Sequence, residues 1–254
     1  MLISRRFRLG RPKMLGFLDE LESASGEAES LYMPSGLSLP HIESLLQKVP
    51  DTQSIPSELA GIAAGSKTGA VLLWGSSGKY LVLPPFPIKE EYFFHGYDVE
   101  PLRYLLKHDF MVALILIRLG AYALGIGHGE RLITSKVGTG LVHARHRKGG
   151  SSQRRFERHR ENQIDQFLTR VCSRAQQQFE PHAGIIDHVV YGGARTTVLL
   201  LRKRCSFLHR FDHCTIPPLL SIPEPRKAIL DTAIGHIWSS GVIEWYDDEV
   251  PARE

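Results

Sequence analysis

Three cysteines in 254 residues are too few, and odd in number, to make a disulfide framework, which argues for a reducing compartment. Long apolar runs are also missing. A bilayer span needs about 20 such residues, and the longest candidate, Phe110–Gly127, is broken by Arg118 and split by Gly120. No apolar core or small-residue cleavage site follows the first arginines, so a secretory leader is not expected. Low-complexity stretches and internal repeats are lacking too, which excludes linkers and solenoids. Nor does one sign of charge dominate: 31 Lys and Arg face 27 Asp and Glu, for a net charge of +4. With 43% hydrophobic and 23% charged residues, the composition excludes global disorder, and the length suffices for one large domain or two small ones.

What is present is an uneven distribution of that charge. Residues 1–18 carry five basic side chains, Arg5, Arg6, Arg8, Arg11 and Lys13, and no acid. Residues 143–160 carry seven, Arg145, Arg147, Lys148, Arg154, Arg155, Arg158 and Arg160, against Glu157 alone, so the rest of the chain nets −7. An acidic body with two focused basic patches favours polyanions, and phosphate backbones are the usual partner. The first patch reads as a flexible basic tail over residues 1–14.

Ser38 and Pro40 start a helix over Leu39–Val49, and Ser57–Ala64 reads as a second. Ala70–Trp74 and Lys79–Leu83 are expected strands around a turn at 75–78, Glu91–Phe94 a third, and Val99–Lys107 a helix. Three strands follow near 110–118, 121–127 and 131–137, turning at Leu119-Gly120 and within Ile126–Glu130. Ile164, Phe167, Leu168, Val171 and Ala175 recur at steps of three or four, predicting a helix from about 153 to 178 that Pro181 stops. A strand over Gly184–Tyr191, a helix over Thr196–Leu208, a strand over Pro217–Ile222 and a helix over Glu224–Ser239 complete the chain. This order predicts an α/β layer fold with a mixed sheet. The expected division is a tail at 1–14, an N-terminal α/β region at 15–107, the main domain at 108–246 and a C-terminal tail at 247–254.

The chemistry-bearing segment is Val137–Arg160, VGTGLVHARHRKGGSSQRRFERHR. Gly149 and Gly150 let the backbone approach a ligand closely, and Ser151, Ser152 and Gln153 add neutral donors and acceptors. The free N–H groups of the following helix favour anions. The spacing is not that of a Walker loop. On residue types alone, a basic loop that grips nucleic acid without chemistry stands beside catalysis.

Antiparallel strands, a basic Gly-Gly loop with Gln, a long Arg-studded helix and a strand ending in Gly192-Gly193 resemble the central domain of eukaryotic and archaeal class I peptide-release factors. The segment Lys148-Gly149-Gly150-Ser151-Ser152-Gln153-Arg154-Arg155-Phe156 is similar, more closely, to the Vms-like branch of ribosome-rescue factors. Two serines stand between Gly150 and Gln153 where release factors have an uninterrupted Gly-Gly-Gln.

The resemblance implies an RNase H-like fold and a peptidyl-tRNA hydrolase whose loop, Gly149, Gly150, Ser151, Ser152 and Gln153, enters the peptidyl-transferase centre. Arg145, Arg147, Lys148, Arg154, Arg155 and Arg158 would bind RNA backbone. The implied partners are the large ribosomal subunit, peptidyl-tRNA and ribosomal RNA, for a cytoplasmic monomer using no cofactor, metal, DNA or membrane. Cleavage near the tRNA 3′ end and a non-catalytic RNA-binding role remain alternatives.

Other constellations are weaker. Cys205, His209, His213 and Cys214 match no standard zinc spacing. Asp187, Asp212 and Asp231 do not form an evident metal-nuclease set, and no nucleophile elbow is present. His143, His146 and His159 suit phosphate or base contacts.

Overall fold

The computed structural model describes residues 3–24, 26–50, 55–143 and 153–246. In chain order the elements are β1 (Ile3–Leu9), α1 (Arg11–Glu22), β2 (Ala28–Met33), α2 (Leu39–Leu46), α3 (Glu58–Gly65), β3 (Ala70–Gly75) and β4 (Gly78–Leu83). Then come β5 (Tyr92–His95), α4 (Glu100–Lys107), β6 (Met111–Arg118), β7 (Ala121–His128), β8 (Arg131–Thr139) and α5 (Gln153–Phe179). The chain continues through β9 (His188–Gly193), α6 (Arg195–Arg204), β10 (Thr215–Leu220), α7 (Lys227–Ile237) and β11 (Ser240–Tyr246). They form two units, Met1–His108 with His236–Glu254, and Asp109–Gly235.

In the first unit six antiparallel strands run in the order β1-β11-β4-β3-β2-β5. Side chains alternate across a strand, so the uniformly apolar β3 serves two cores. Ala70, Leu72 and Trp74 pack with α2 and α3, whereas Val71 and Leu73 pack with α1 and α4. Ser38 caps α2, accepting from the His41 N–H at 3.4 Å. Arg103 of α4, 7% exposed, binds Asp19 at 2.9 Å and Glu22 at 2.7 Å on α1, and also Glu100.

The N-terminal residues do not form the expected tail. Ile3–Leu9 pairs along its whole length with β11, and the strand is followed directly by α1 with Pro12 in its first turn. Phe7 and Leu9 alternate onto a core, while Arg6 reaches Glu58 at 2.9 Å and Arg8 donates to the Ser239 carbonyl at 3.2 Å. Arg11 donates to the Lys107 carbonyl at 2.9 Å and lies 4.5 Å over the Trp238 ring. High charge density hid a period-two strand. The expected 108–246 boundary shifts accordingly, because β11 is an interior strand of the first sheet. The expected tail at 247–254 lies outside the described residues.

The second unit has the expected mixed sheet, ordered β10-β9-β6-β7-β8. β6, β7 and β8 form an antiparallel meander, and β9 and β10 run parallel to β6. The β6–β7 hairpin turns at Gly120, and no helix among the described residues is long and apolar enough to cross a membrane. Phe167, Leu168, Val171, Ala175 and Phe179 of α5 share a core with Tyr122, Leu124 and Ile126 of β7. Leu230 and Ile234 of α7 fit against Gly125 and Gly127, where a Cβ would obstruct them.

Two of the three cysteines are joined, against the sequence expectation. Cys172 of α5 and Cys205, at the C-terminus of α6, form a disulfide with a sequence separation of 33. Their proximity comes from α5–α6 packing, which leaves no local spacing signal. Cys214 is free and half-buried, and burial pushes its thiol pKa up.

Gly193 ends β9 with φ 112°, in the left-handed region that favours glycine. A Cβ there would fall onto the Ile117 carbonyl of β6, and a backbone atom cannot rotate away. Gly193→Ala is therefore expected to cost roughly 3 kcal/mol. In urea this should appear as a midpoint lowered by at least about 1 M at unchanged slope.

Candidate functional site

The candidate loop leaves β8 and returns at α5. Before it, the Gly140 N–H donates to the Gly120 carbonyl at 2.9 Å. The His143 N–H donates to Gln163 Oε1 at 3.1 Å, and its carbonyl accepts from Arg160 Nε at 3.0 Å. Gln163 Nε2 lies 3.2 Å from His159 Nε2, and the His143 and His159 rings are 6.2 Å apart. The strand exit is thus tied to the second and third turns of α5. Gln153 is the first residue of that helix. Seven to ten residues separate it from this anchor, about 10–15 Å along the axis.

Of the residues singled out in the sequence, Arg154, Arg155 and Arg158 are exposed on the first turns of α5. At 100° per residue they lie within one arc of about 100°. Phe156, beside them, is also exposed, at 55%. The first fully buried residue of α5 is Phe167, so about 20 Å of helix precedes the packed stripe. The Gln153 N–H is among the four donors that an α-helix leaves unpaired at its start, and the helix dipole adds partial positive charge there. Arg145, His146, Arg147, Lys148, Gly149, Gly150, Ser151 and Ser152 lie outside the described residues.

Two residues that anchor the strand exit are not evident from residue types: Arg160, one of the seven cations of the basic cluster, turns to the His143 carbonyl, and Gln163 accepts from the His143 N–H. Arg160 lies off the 154/158 row at 100° per residue, which is the available signal.

The competing acids have other work. Asp187 Oδ2 accepts from the Met111 N–H at 2.8 Å, while the Asp187 N–H donates to the Met111 carbonyl at 2.9 Å. Asp212 pairs with Arg202 at 2.7 Å and His209 at 3.1 Å, and these partners, His209 foremost, hold its carboxyl below the usual range. Cys205 is committed to its disulfide. Among the described residues, no group of three or more His, Cys, Asp and Glu is placed to hold a metal.

The family model of the Actinobacteria/chloroflexi VLRF1 release factors (acVLRF1) matches residues 111–242, just over half of the chain. The chain belongs to that release-factor family. The matched span in this acVLRF1-family chain begins at β6 and ends within β11, so it carries the β8–α5 connection. Peptide chain release factor subunit 1 of Aeropyrum pernix is 26% identical over 221 residues, covering 75% of this chain and 59% of that protein. The namesake of Archaeoglobus fulgidus is 26% identical over 211 residues, 71% of this chain and 52% of that one. The chain therefore spans between half and three fifths of these relatives. A solved archaeal translation termination factor, aRF1, aligns with a TM-score of 0.41 at 19% identity, covering 91% of this chain and 73% of that one.

Proposed function

We propose that this release-factor family member is a ribosome-rescue peptidyl-tRNA hydrolase, close to the Vms-like branch, that frees a stalled nascent chain on the large ribosomal subunit. The observation carrying the proposal is the meeting of family and motif. The acVLRF1 match spans the Gly149-Gly150-Ser151-Ser152-Gln153 segment, and Gln153 opens an exposed, arginine-lined helix. The strand order β8-β7-β6-β9-β10 supports an RNase H-like reading of the same unit.

Peptidyl-tRNA is a ribose ester, so its hydrolysis requires a water held in line with the carbonyl and donors for the developing oxyanion. Gln153 would orient that water through a neutral amide and donate its backbone N–H to the tetrahedral oxygen or the leaving 3′ oxygen. A carboxylate in its place would repel the nearby phosphates. Arg154, Arg155 and Arg158, with Arg145, Arg147 and Lys148, would hold RNA backbone and set position without reading sequence. If the broken bond is instead a phosphodiester near the tRNA 3′ end, Arg145 or Arg147 gains the role of stabilising transition-state charge.

The test is release of nascent peptide from stalled large subunits by wild type and Gln153→Ala. Analysis of the tRNA 3′ end distinguishes ester hydrolysis from endonucleolytic cleavage. A purely RNA-binding protein would bind in a salt-sensitive way and release nothing. Neutralising Arg154 and Arg155 together should weaken RNA binding and lower the slope of log affinity against log salt by about 1.5, measured by titration at several ionic strengths.

A further inference from the structure

The charge of α5 is segregated along its length. Its three acids, Glu157, Glu161 and Asp165, follow one another at four-residue steps and so share one row. Asp165 is ion-paired with Arg204 of α6. From Gln166 to Phe179 the helix has no acid at all. Its inner face is spent on the core through Phe167, Val171 and Ala175.

One solvent-facing strip, from Arg155 and Arg158 to Gln177, is consequently free of acid over about 30 Å, while the exposed Glu157 and Glu161 lie on the row beside it. Beyond the first basic turns it presents Asn162, Gln166, Thr169, Arg170 and Ser173, all exposed. A shallow groove along this strip is lined by Gln166, Thr169, Arg170, Ser173, Arg174 and Gln177, with Asp165 of the neighbouring acid row also lining it. Such a face offers side-chain donors at every turn, the pattern used to contact phosphate and sugar oxygens. Exposed apolar side chains, which a protein partner would bury, are absent from residues 162–177.

The geometry points to a second RNA contact: the outer face of α5 from Asn162 to Gln177 lies along a ribosomal RNA backbone and extends the arginines of the first turns into one continuous track. This inference rests on the proposed ribosomal function, but it concerns binding rather than chemistry. The track carries no sequence readout. It gives the helix a length over which its orientation on RNA is fixed, which a cluster at one end does not.

The experiment measures binding of the full chain to purified large ribosomal subunits between 50 and 300 mM salt. Arg170→Ala with Arg174→Ala should lower affinity about tenfold at 0.1 M salt and reduce the salt slope by about 1.5. Thr169→Glu with Ser173→Glu, which leaves both arginines in place, should lower affinity at least as much. The control removes the same two charges from exposed positions on α6, Arg195→Ala with Lys203→Ala, and should leave the slope within about 0.5 of wild type. Circular dichroism and melting temperature verify folding of each variant.

Equal losses from the α5 and α6 pairs would overturn the track in favour of net charge alone. Weakened binding with an unchanged salt slope would overturn it in favour of a protein partner. Peptide release at saturating protein provides the separate readout. A wild type that binds with the stated α5 dependence but releases nothing refutes the hydrolase and leaves the track standing.

Discussion

Gln153→Ala should slow peptide release by about 100- to 1,000-fold while binding to large subunits stays within twofold of wild type. That range is the usual loss when one donor to a developing oxyanion, or the group orienting the attacking water, is removed from an otherwise intact site. Under the proposed function binding should survive, because the surrounding cations, not the amide, would hold the phosphates. Gln153→Glu should be as slow, and should also bind less well at low salt because it adds an anion among phosphates. Single-turnover release at saturating protein separates the chemical step from affinity. A Gln153→Ala rate within threefold of wild type would end the catalytic reading and leave an RNA-binding protein.

Reducing Cys172–Cys205 should lower the melting temperature of the second unit by roughly 10–15 °C. A cross-link over a separation of 33 residues removes chain entropy from the unfolded state equivalent to about 3–4 kcal/mol at 25 °C. For a unit of this size each kcal/mol corresponds to about 4 °C. Cys172→Ser with Cys205→Ser should reproduce the shift and abolish its dependence on reductant, whereas Cys214→Ser should retain that dependence. Calorimetry with and without reductant reads both, with thiol counting by mass spectrometry alongside. Equal melting temperatures with and without reductant would sink the prediction. The effect also bears on the site, since Cys172 lies on the helix that Gln153 begins.

Local signals were legible where they were repeated. The apolar stripe of α5, Ile164 to Ala175, placed the helix to within a residue or two, and the Gly120 turn separated β6 from β7. The meander and the strands after it predicted a mixed sheet, and the sheet is mixed. Pairings made far along the chain left no such trace. β1 and β11 meet across more than 230 residues, and in β1 the charge of Arg5, Arg6 and Arg8 outweighs the alternation of Phe7 and Leu9. β2, AESLYM, is a strand because β3 and β5 flank it, not because its own residues alternate cleanly. At the site, residue types identified Arg154, Arg155 and Arg158 as solvent-facing cations. They did not reveal that Arg160 turns to the His143 carbonyl, because that depends on the position of His143 after β8.

The place of β11 has a consequence for how the molecule is made. It lies between β1 and β4, so the sheet of the first unit has a gap at an interior position until the chain has been synthesised to residue 246. At about 5–20 residues per second, roughly 10–30 s pass between the emergence of α4 and that of β11. All the strands of the second sheet emerge within this interval. The unit that begins first is therefore the one that finishes last, and until then β1 and β4 expose unpaired edges.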